Sequence, residues 1–370
     1  MSRWQWRGSV ALLAVCLAFF IYPLLPNDDV INSDWPAFAT GAQLIVSNPQ
    51  QMYDLHVQQR YEELVTGGRV LVTPGIEGIL PFLAPAWVAL LAVPFEAFGT
   101  DLGGRLWILF GLLSLLAALY LAVRPRPAAT ILPAFASVPT ALMMLNAQLD
   151  GIVALGVGAG LALWPRRYLA GLALGLTLMK PQLVLPLGIA VIAAREWKVL
   201  AGWATAGVVL LAPTMLLNAR WPLDWLGQVR GTVAPISREI DLPHLGVLLP
   251  ASYQSLAVAL LTVIAVVLVL FLAWRLRGQA MRPSIAVLVI GGVLASPHAL
   301  PADLVLVGLG LAIWGQATWL EWLVLSAGAL IAALTPAPVP TLVGLMIFAW
   351  LLARLSVWRP SPAPARVSTR

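Results

Sequence analysis

The chain has 370 residues, of which 60% are hydrophobic and 10% charged, with a net charge of +6. Soluble globular chains carry about 25% charged residues, which excludes that class. Repeated uncharged runs suit helices crossing a hydrocarbon core, and the alternating ten-residue segments of a membrane β-barrel are missing. The expected class is an all-α polytopic membrane protein.

An arginine-bearing start followed by the apolar run 8–25 reads as a retained first helix with a cytoplasmic N-terminus, since no small-x-small cleavage site follows it. The lone Cys16 lies in that run, leaving no disulfide and no thiol metal site. Next comes the polar segment 26–78, which holds seven of the chain's 16 carboxylates: Asp28, Asp29, Asp34, Asp54, Glu62, Glu63 and Glu77. Apolar spans follow over 79–95, 106–123, 128–145, 151–164, 168–194 (interrupted at Lys180-Pro181) and 199–217. A second polar segment occupies 218–254, and the last spans cover 256–274, 284–295, 304–314, 322–334 and 339–353. The expectation is one transmembrane domain over 1–355 with about 12 spanning or partly spanning helices. Residues 356–370, Pro-rich and basic, read as a disordered cytoplasmic tail.

Basic clusters at the ends of apolar spans are topology and headgroup signals, not a nucleic-acid surface, so no nucleic-acid partner is expected. Arg275, Arg277 and Arg282 belong inside, which puts the Pro297-His298 turn and 218–254 outside, with 26–78. Arg124 and Arg126, the Arg166-Arg167 pair, and Arg195 with Lys198 cannot all be cytoplasmic if every run crosses once. A re-entrant hairpin broken at Lys180-Pro181 reconciles the last two clusters and leaves the first unexplained.

Four groups of residues could carry chemistry. Asp34 stands before Trp35-Pro36 and an amphipathic stretch in which Phe38, Ala42 and Ile45 share a face. It is either a helix N-cap or a general base near the membrane surface, and the two roles are compatible. Lys180 lies in an otherwise apolar run, where an ammonium costs about 2.5–3.5 kcal/mol. It either snorkels to the interface or faces a phosphate in a cavity. His298 sits in the turn Ser296-Pro297-His298-Ala299-Leu300-Pro301, with Asp303 just beyond. His56, His244 and His298 lack zinc-ligand spacing, and no metal is expected. Asn146-Ala147-Gln148-Leu149-Asp150-Gly151 is either a plain loop or a patch of hydrogen-bonding groups for sugar hydroxyls. Gly156-Val157-Gly158-Ala159-Gly160, inside an apolar span, reads as close helix packing, not a phosphate loop.

In order and spacing, several stretches together resemble glycosyltransferase family 87, whose members are mannosyltransferase-like membrane proteins. They are Ser33-Asp34-Trp35 through Met52-Tyr53-Asp54, Asn146 to Gly151, Ala170 to Gly175 through Lys180-Pro181, and Ser296-Pro297-His298 through Asp303-Leu304. The resemblance implies a GT-C type fold with an extracytoplasmic site in a bacterial inner membrane. It implies inverting transfer from a polyprenyl-phosphate sugar to a lipid or glycan acceptor, with no cofactor besides that lipid-linked co-substrate. It implies Asp34 as base, Lys180 on the lipid phosphate, His298 bordering the donor, and Gln148, Asp150 and Tyr53 as substrate contacts. Mannose is the family's default sugar. One departure is Leu80-Pro81-Phe82-Leu83-Ala84-Pro85, where many members have a Tyr-Pro-Pro. The rival readings are a secondary transporter or lipid-linked sugar flippase, and a non-catalytic assembly subunit. No internal repeat supports the transporter.

Overall fold

The computed structural model describes residues 6–8, 10–11, 21–25, 28–69, 80–123, 130–231, 238–276 and 281–357. Most of the expected first span, Glu77, Arg124, Arg126, Arg277 and nearly all of the tail lie outside the described residues. What is described is helical, with no strand among the described residues. Three helices are long and apolar enough to cross a membrane: Thr100–Val123, Trp197–Leu217 and Ala251–Leu276. Eight shorter apolar helices accompany them, so the chain is a polytopic integral membrane protein.

In chain order the helices are α1 Trp35–Ser47, α2 Leu55–Thr66, α3 Ala86–Glu96, α4 Thr100–Val123, α5 Ile131–Phe135, α6 Val138–Leu145, α7 Asp150–Ala162 and α8 Arg167–Leu174. They continue with α9 Leu185–Ala193, α10 Trp197–Leu217, α11 Trp221–Gly231, α12 Ala251–Leu276, α13 Met281–Ala295, α14 Leu304–Trp314, α15 Trp319–Leu334 and α16 Val339–Ser356. Short 3-10 turns over Gly175–Met179 and Pro181–Val184 join α8 to α9.

Two expected spans are corrected. The run 79–95 becomes helical only at Ala86, because the Leu80-Pro81-Phe82 stretch is held extended by α2. Both Glu62 carboxylate oxygens accept from the Leu80 amide (2.9 and 3.0 Å), and Gln58 Oε1 accepts from the Phe82 amide at 2.8 Å. The run 128–145 is two short helices, because Ser137 turns the chain by donating to the Ala134 carbonyl (2.7 Å) just ahead of Pro139. The first half of α1 is more enclosed than an interfacial amphipathic helix, with Trp35 through Ala42 all buried.

The break at Lys180 does reverse the chain. Arg167 Nε at the start of α8 lies 3.6 Å from Glu196 Oε2 just after α9, and Tyr168 Oη is 3.1 Å from Thr205 Oγ1 of α10. Both ends of the segment 167–196 therefore stand on one side, as a re-entrant hairpin requires. The glycine run of α7 packs as expected. A Cβ on Gly158 would stand 2.4 Å from the Ala118 carbonyl oxygen of α4, so the helices touch backbone to backbone there.

The polar segments gather at one end. Asn218 Nδ2 donates to the Pro49 carbonyl (2.9 Å) and Trp225 Nε1 to the Leu83 carbonyl (2.8 Å), joining the second polar segment to the first. The Ile240 amide donates to Ala299 (2.9 Å) and the Leu242 amide to Leu294 (3.1 Å), which ties in the His298 turn.

Candidate active site

The site begins with Ser33 and Asp34. Ser33 does the local work of the turn, donating from Oγ to the Val30 carbonyl (2.6 Å) and accepting from the Trp35 amide (3.2 Å). Asp34 sits at the N-cap position of α1 but makes no side-chain cap bond. Asp54 shows what a capping aspartate does, accepting from the His56 and Val57 amides at 2.9 and 3.2 Å. The Asp34 carboxylate is instead left for long-range contact and accepts a short hydrogen bond from Gln148 Nε2. Its amide donates to the Asn146 carbonyl at 3.2 Å, so main chain and side chain both dock on the turn after α6.

That turn closes α6 with a Schellman motif. The Gln148 amide donates to Met143 (2.9 Å) and the Ala147 amide to Met144 (3.0 Å), around Ala147 at φ 51°. Alanine in the left-handed region is disfavoured by its Cβ. Trp107 Nε1 of α4 grips the Ala147 carbonyl at 3.0 Å and fixes the turn. Gln148 is thereby aimed between Asp34 and Lys180.

Lys180 caps the two 3-10 turns at the hairpin tip. Its Nζ donates to Gln148 Oε1 (2.6 Å), Asp150 Oδ2 (3.0 Å) and Asp303 Oδ1 (2.6 Å). An ammonium has three protons and accepts nothing, so all three are committed to the protein. The Lys180 side chain is 14% exposed, Asp150 is fully buried, and the positive charge is already answered by two carboxylates. The Gln148 orientation follows from its neighbours: the oxygen must face the ammonium and the nitrogen the carboxylate. Asp303 Oδ2 accepts from the Leu300 amide (2.6 Å), which anchors the start of α14. Asp150, the first residue of α7, has its second oxygen, Oδ1, buried with no partner among the described residues.

A second cluster adjoins the first. Glu239 accepts from two imidazoles, His298 Nδ1 at 2.9 Å and His244 Nδ1 at 3.1 Å. Asp241 accepts from the His244 amide (2.8 Å) and the Ala299 amide (2.9 Å). Burial alone would raise the Glu239 carboxyl, but the two histidine hydrogen bonds outweigh it and hold it down at about 2. An ionised carboxylate only accepts, so both Nδ1 atoms carry the hydrogen. The protein around His298 opposes its charge, yet the bond to Glu239 and nearby carboxylates raise its pKa above the ordinary value. The His298 side chain is 55% exposed, at the outer edge of the cluster. Asp241 is pushed up to about 7, first by burial and then by Glu239. Asp34 is pushed up to about 6 by burial, against the pull of the Lys180 and His298 charges.

Of the residues expected at a site, Asp34, Gln148, Asp150 and Lys180 form one hydrogen-bonded chain, and His298 stands beside it. Tyr53 lies elsewhere. Its hydroxyl donates to the Ala84 carbonyl (2.9 Å) and its ring packs on Phe82 and Trp221, with ring centroids 6.0 and 6.4 Å away. Burial pushes its phenol far up, as suits a structural tyrosine. Sequence reasoning gave no role to Glu239, Asp241 and His244, and mentioned Asp303 only as a neighbour. The signal was available: Glu239-Ile240-Asp241 with His244 is a second patch of titratable residues in a chain that has few.

A bundle of short and long apolar helices, with a buried carboxylate–amide–ammonium chain beneath polar loops, defines a membrane protein with a built polar site. The family model of glycosyltransferase family 87 matches residues 82–297, and the chain belongs to that family. It is a membrane glycosyltransferase. The matched span includes Gln148, Asp150, Lys180, Glu239 and Asp241, while Asp34 precedes it and His298 and Asp303 follow it. No curated protein and no solved structure matches the chain.

Proposed function

We propose that this glycosyltransferase moves a sugar, mannose first among candidates, from a polyprenyl-phosphate donor to a lipid or glycan acceptor on the extracytoplasmic face of a bacterial inner membrane. In this reading the fold is of GT-C type, and the segments 26–78 and 218–254 form its outer face. Asp34 is the general base. The acceptor hydroxyl oxygen attacks the anomeric carbon from the face opposite the phosphate and its proton passes to Asp34. The bond from that carbon to the phosphate oxygen breaks, and polyprenyl phosphate leaves with the electron pair. Configuration inverts because a single displacement occurs.

One observation supports this most: a carboxylate at a helix start that caps nothing, with Ser33 relieving it of that duty, is held by a buried amide that an ammonium grips from its other side. Since Lys180 has no proton to spare, the cation for the leaving phosphate is assigned to His298. Its ring is fixed through Nδ1 by Glu239, so Nε2 of the imidazolium is the donor it presents.

The test is transfer from radiolabelled polyprenyl-phosphate mannose in membranes carrying wild type or Asp34→Asn. Loss of a general base lowers the rate by about 10²–10⁴-fold. Transfer by Asp34→Asn at the wild-type rate would remove Asp34 from the mechanism.

A further inference from the structure

We infer that Gln148 is a positioning residue for the base, and that Lys180, pinned between Asp150 and Asp303, is the fixed cation that holds Gln148 in place. The inference rests on Asp34 being the base, and it gives the buried ammonium an orienting role in place of a ligand-binding one.

The geometry carries it link by link. Asp303 is immobilised by the Leu300 amide at 2.6 Å, and Asp150 by its place in the first turn of α7. Both hold Lys180 Nζ, at 2.6 and 3.0 Å. Its third proton goes to Gln148 Oε1 at 2.6 Å, and the far side of the same amide donates to Asp34. The amide cannot flip without setting its NH₂ against the ammonium and its oxygen against the carboxylate. Three segments that are distant in sequence are thus registered on one Asp34 oxygen: the α6–α7 turn with the start of α7, the hairpin tip and the turn before α14. The other Asp34 oxygen, Oδ1, is not used by this chain of bonds and is the one left to meet an acceptor hydroxyl. The charged groups facing Asp34 are Lys180, His298 and Asp303.

A ligand-binding lysine and an orienting lysine differ in what their loss does. If Lys180 held the donor phosphate, its removal would raise the donor KM. If it orients the base through Gln148, kcat falls, donor KM holds, and Asp34 takes up its proton at higher pH. Two variants separate these outcomes in the full chain in nanodiscs. Gln148→Leu cuts the link and leaves both carboxylate partners of Lys180 in place. Lys180→Met combined with Asp303→Asn removes one positive and one negative charge together, which leaves one carboxylate rather than two without the cation.

Each variant is assayed for donor KM, kcat and the pH–rate profile with polyprenyl-phosphate mannose. The Asp34 carboxyl is also titrated by infrared difference against a matched Asp34→Asn background. For both variants kcat falls by about ten- to a hundredfold, the loss of a hydrogen bond to a charged group. Donor KM stays within about twofold, and the infrared midpoint of Asp34 moves up by about one pH unit. A donor KM that rises while kcat holds, or an Asp34 midpoint unmoved in both variants, overturns the inference. If wild type transfers no sugar from the lipid-linked donor, the proposed function fails, and the infrared midpoint still decides whether Gln148 and Lys180 hold Asp34.

Discussion

Gly151→Ala tests whether the polar chain must be held in register by the helices beneath it. Gly151 follows Asp150 in the first turn of α7 and faces α4. A Cβ there would stand 2.0 Å from the Gly111 carbonyl oxygen and 2.8 Å from its carbon. A carbon–oxygen contact relaxes only near 3.3 Å, so the two backbones must part by about 1 Å. Neither partner is a flexible side chain, and both helices are packed along their length. Such overpacking costs about 1–3 kcal/mol. The larger effect falls on activity, because the displaced turn carries Asp150 and lies three residues after Gln148. A displacement of about 1 Å at a reacting group can cost about 10²-fold in rate. The control is the other half of the same contact. A Cβ on Gly111 would meet only the Gln148 carbonyl oxygen, at an ordinary 3.6 Å, so Gly111→Ala should stay near wild type. Transfer rate and thermal midpoint measured on both variants decide the matter. Wild-type rate in Gly151→Ala, or equal damage from Gly111→Ala, would refute the reasoning.

Three further outcomes follow from the charges. Asp34 accepts a proton only when ionised, and it is held at about 6, so kcat at saturating donor should fall about tenfold per pH unit below that value; a flat profile down to about pH 4 contradicts this. Because burial raises the Asp34 pKa, the folded state binds its proton more tightly than the unfolded chain, and ionisation above about pH 6 opposes folding. Asp34→Asn should therefore raise the thermal midpoint at neutral pH while abolishing transfer, and a lowered midpoint would count against it. Glu239 runs the other way: held at about 2, it contributes stability above the ordinary glutamate value that is lost as pH falls through 2. The contributions of His244 and His298, whose pKa values are raised, are full below the ordinary histidine value and vanish as pH rises through the raised one. Glu239→Gln should thus lower the thermal midpoint most between about pH 5 and 6 and least in mildly alkaline buffer, as calorimetry across pH would show.

Much of this site was legible in the sequence because the membrane makes polar residues conspicuous. Asp34, Lys180, Gln148 and Asp150 stand out where most neighbours are apolar, and the hairpin at Lys180-Pro181 followed from charge placement. Two things were not legible. The first was which oxygen answers which proton. Lys180 read as a free cation because its partners, Asp150 and Asp303, lie 30 and 123 residues away, and no periodicity links positions so distant. The second was the duty of a residue with two plausible roles. Asp34 read equally well as a cap until Ser33 was seen to take the local hydrogen bonds. Tyr53 was assigned by neighbourhood in a motif, and only the Ala84 carbonyl shows where its hydroxyl goes.

The hairpin explains why the cluster has this composition. Helix Arg167–Met179, at about 1.5 Å per residue, reaches about 20 Å and cannot span a core of about 30 Å. Its tip leaves the chain irregular at Lys180, and in a membrane protein such a break is tolerated only where protein or water satisfies the backbone. The Lys180 amide turns inward to Thr177 at 3.2 Å and its carbonyl accepts from Leu183 at 3.1 Å, so the main chain is satisfied. The side chain then brings a charge into the packed interior, 14% exposed, and an ammonium there needs opposite charge rather than neutral dipoles alone. Asp150 and Asp303 supply it, each placed at the start of a helix that begins at this level. That ammonium, acting through Gln148, pulls the Asp34 carboxyl down against the burial that pushes it up to about 6. In the proposed reaction this balance leaves Asp34 ionised at neutral pH and still basic enough to take the acceptor's proton.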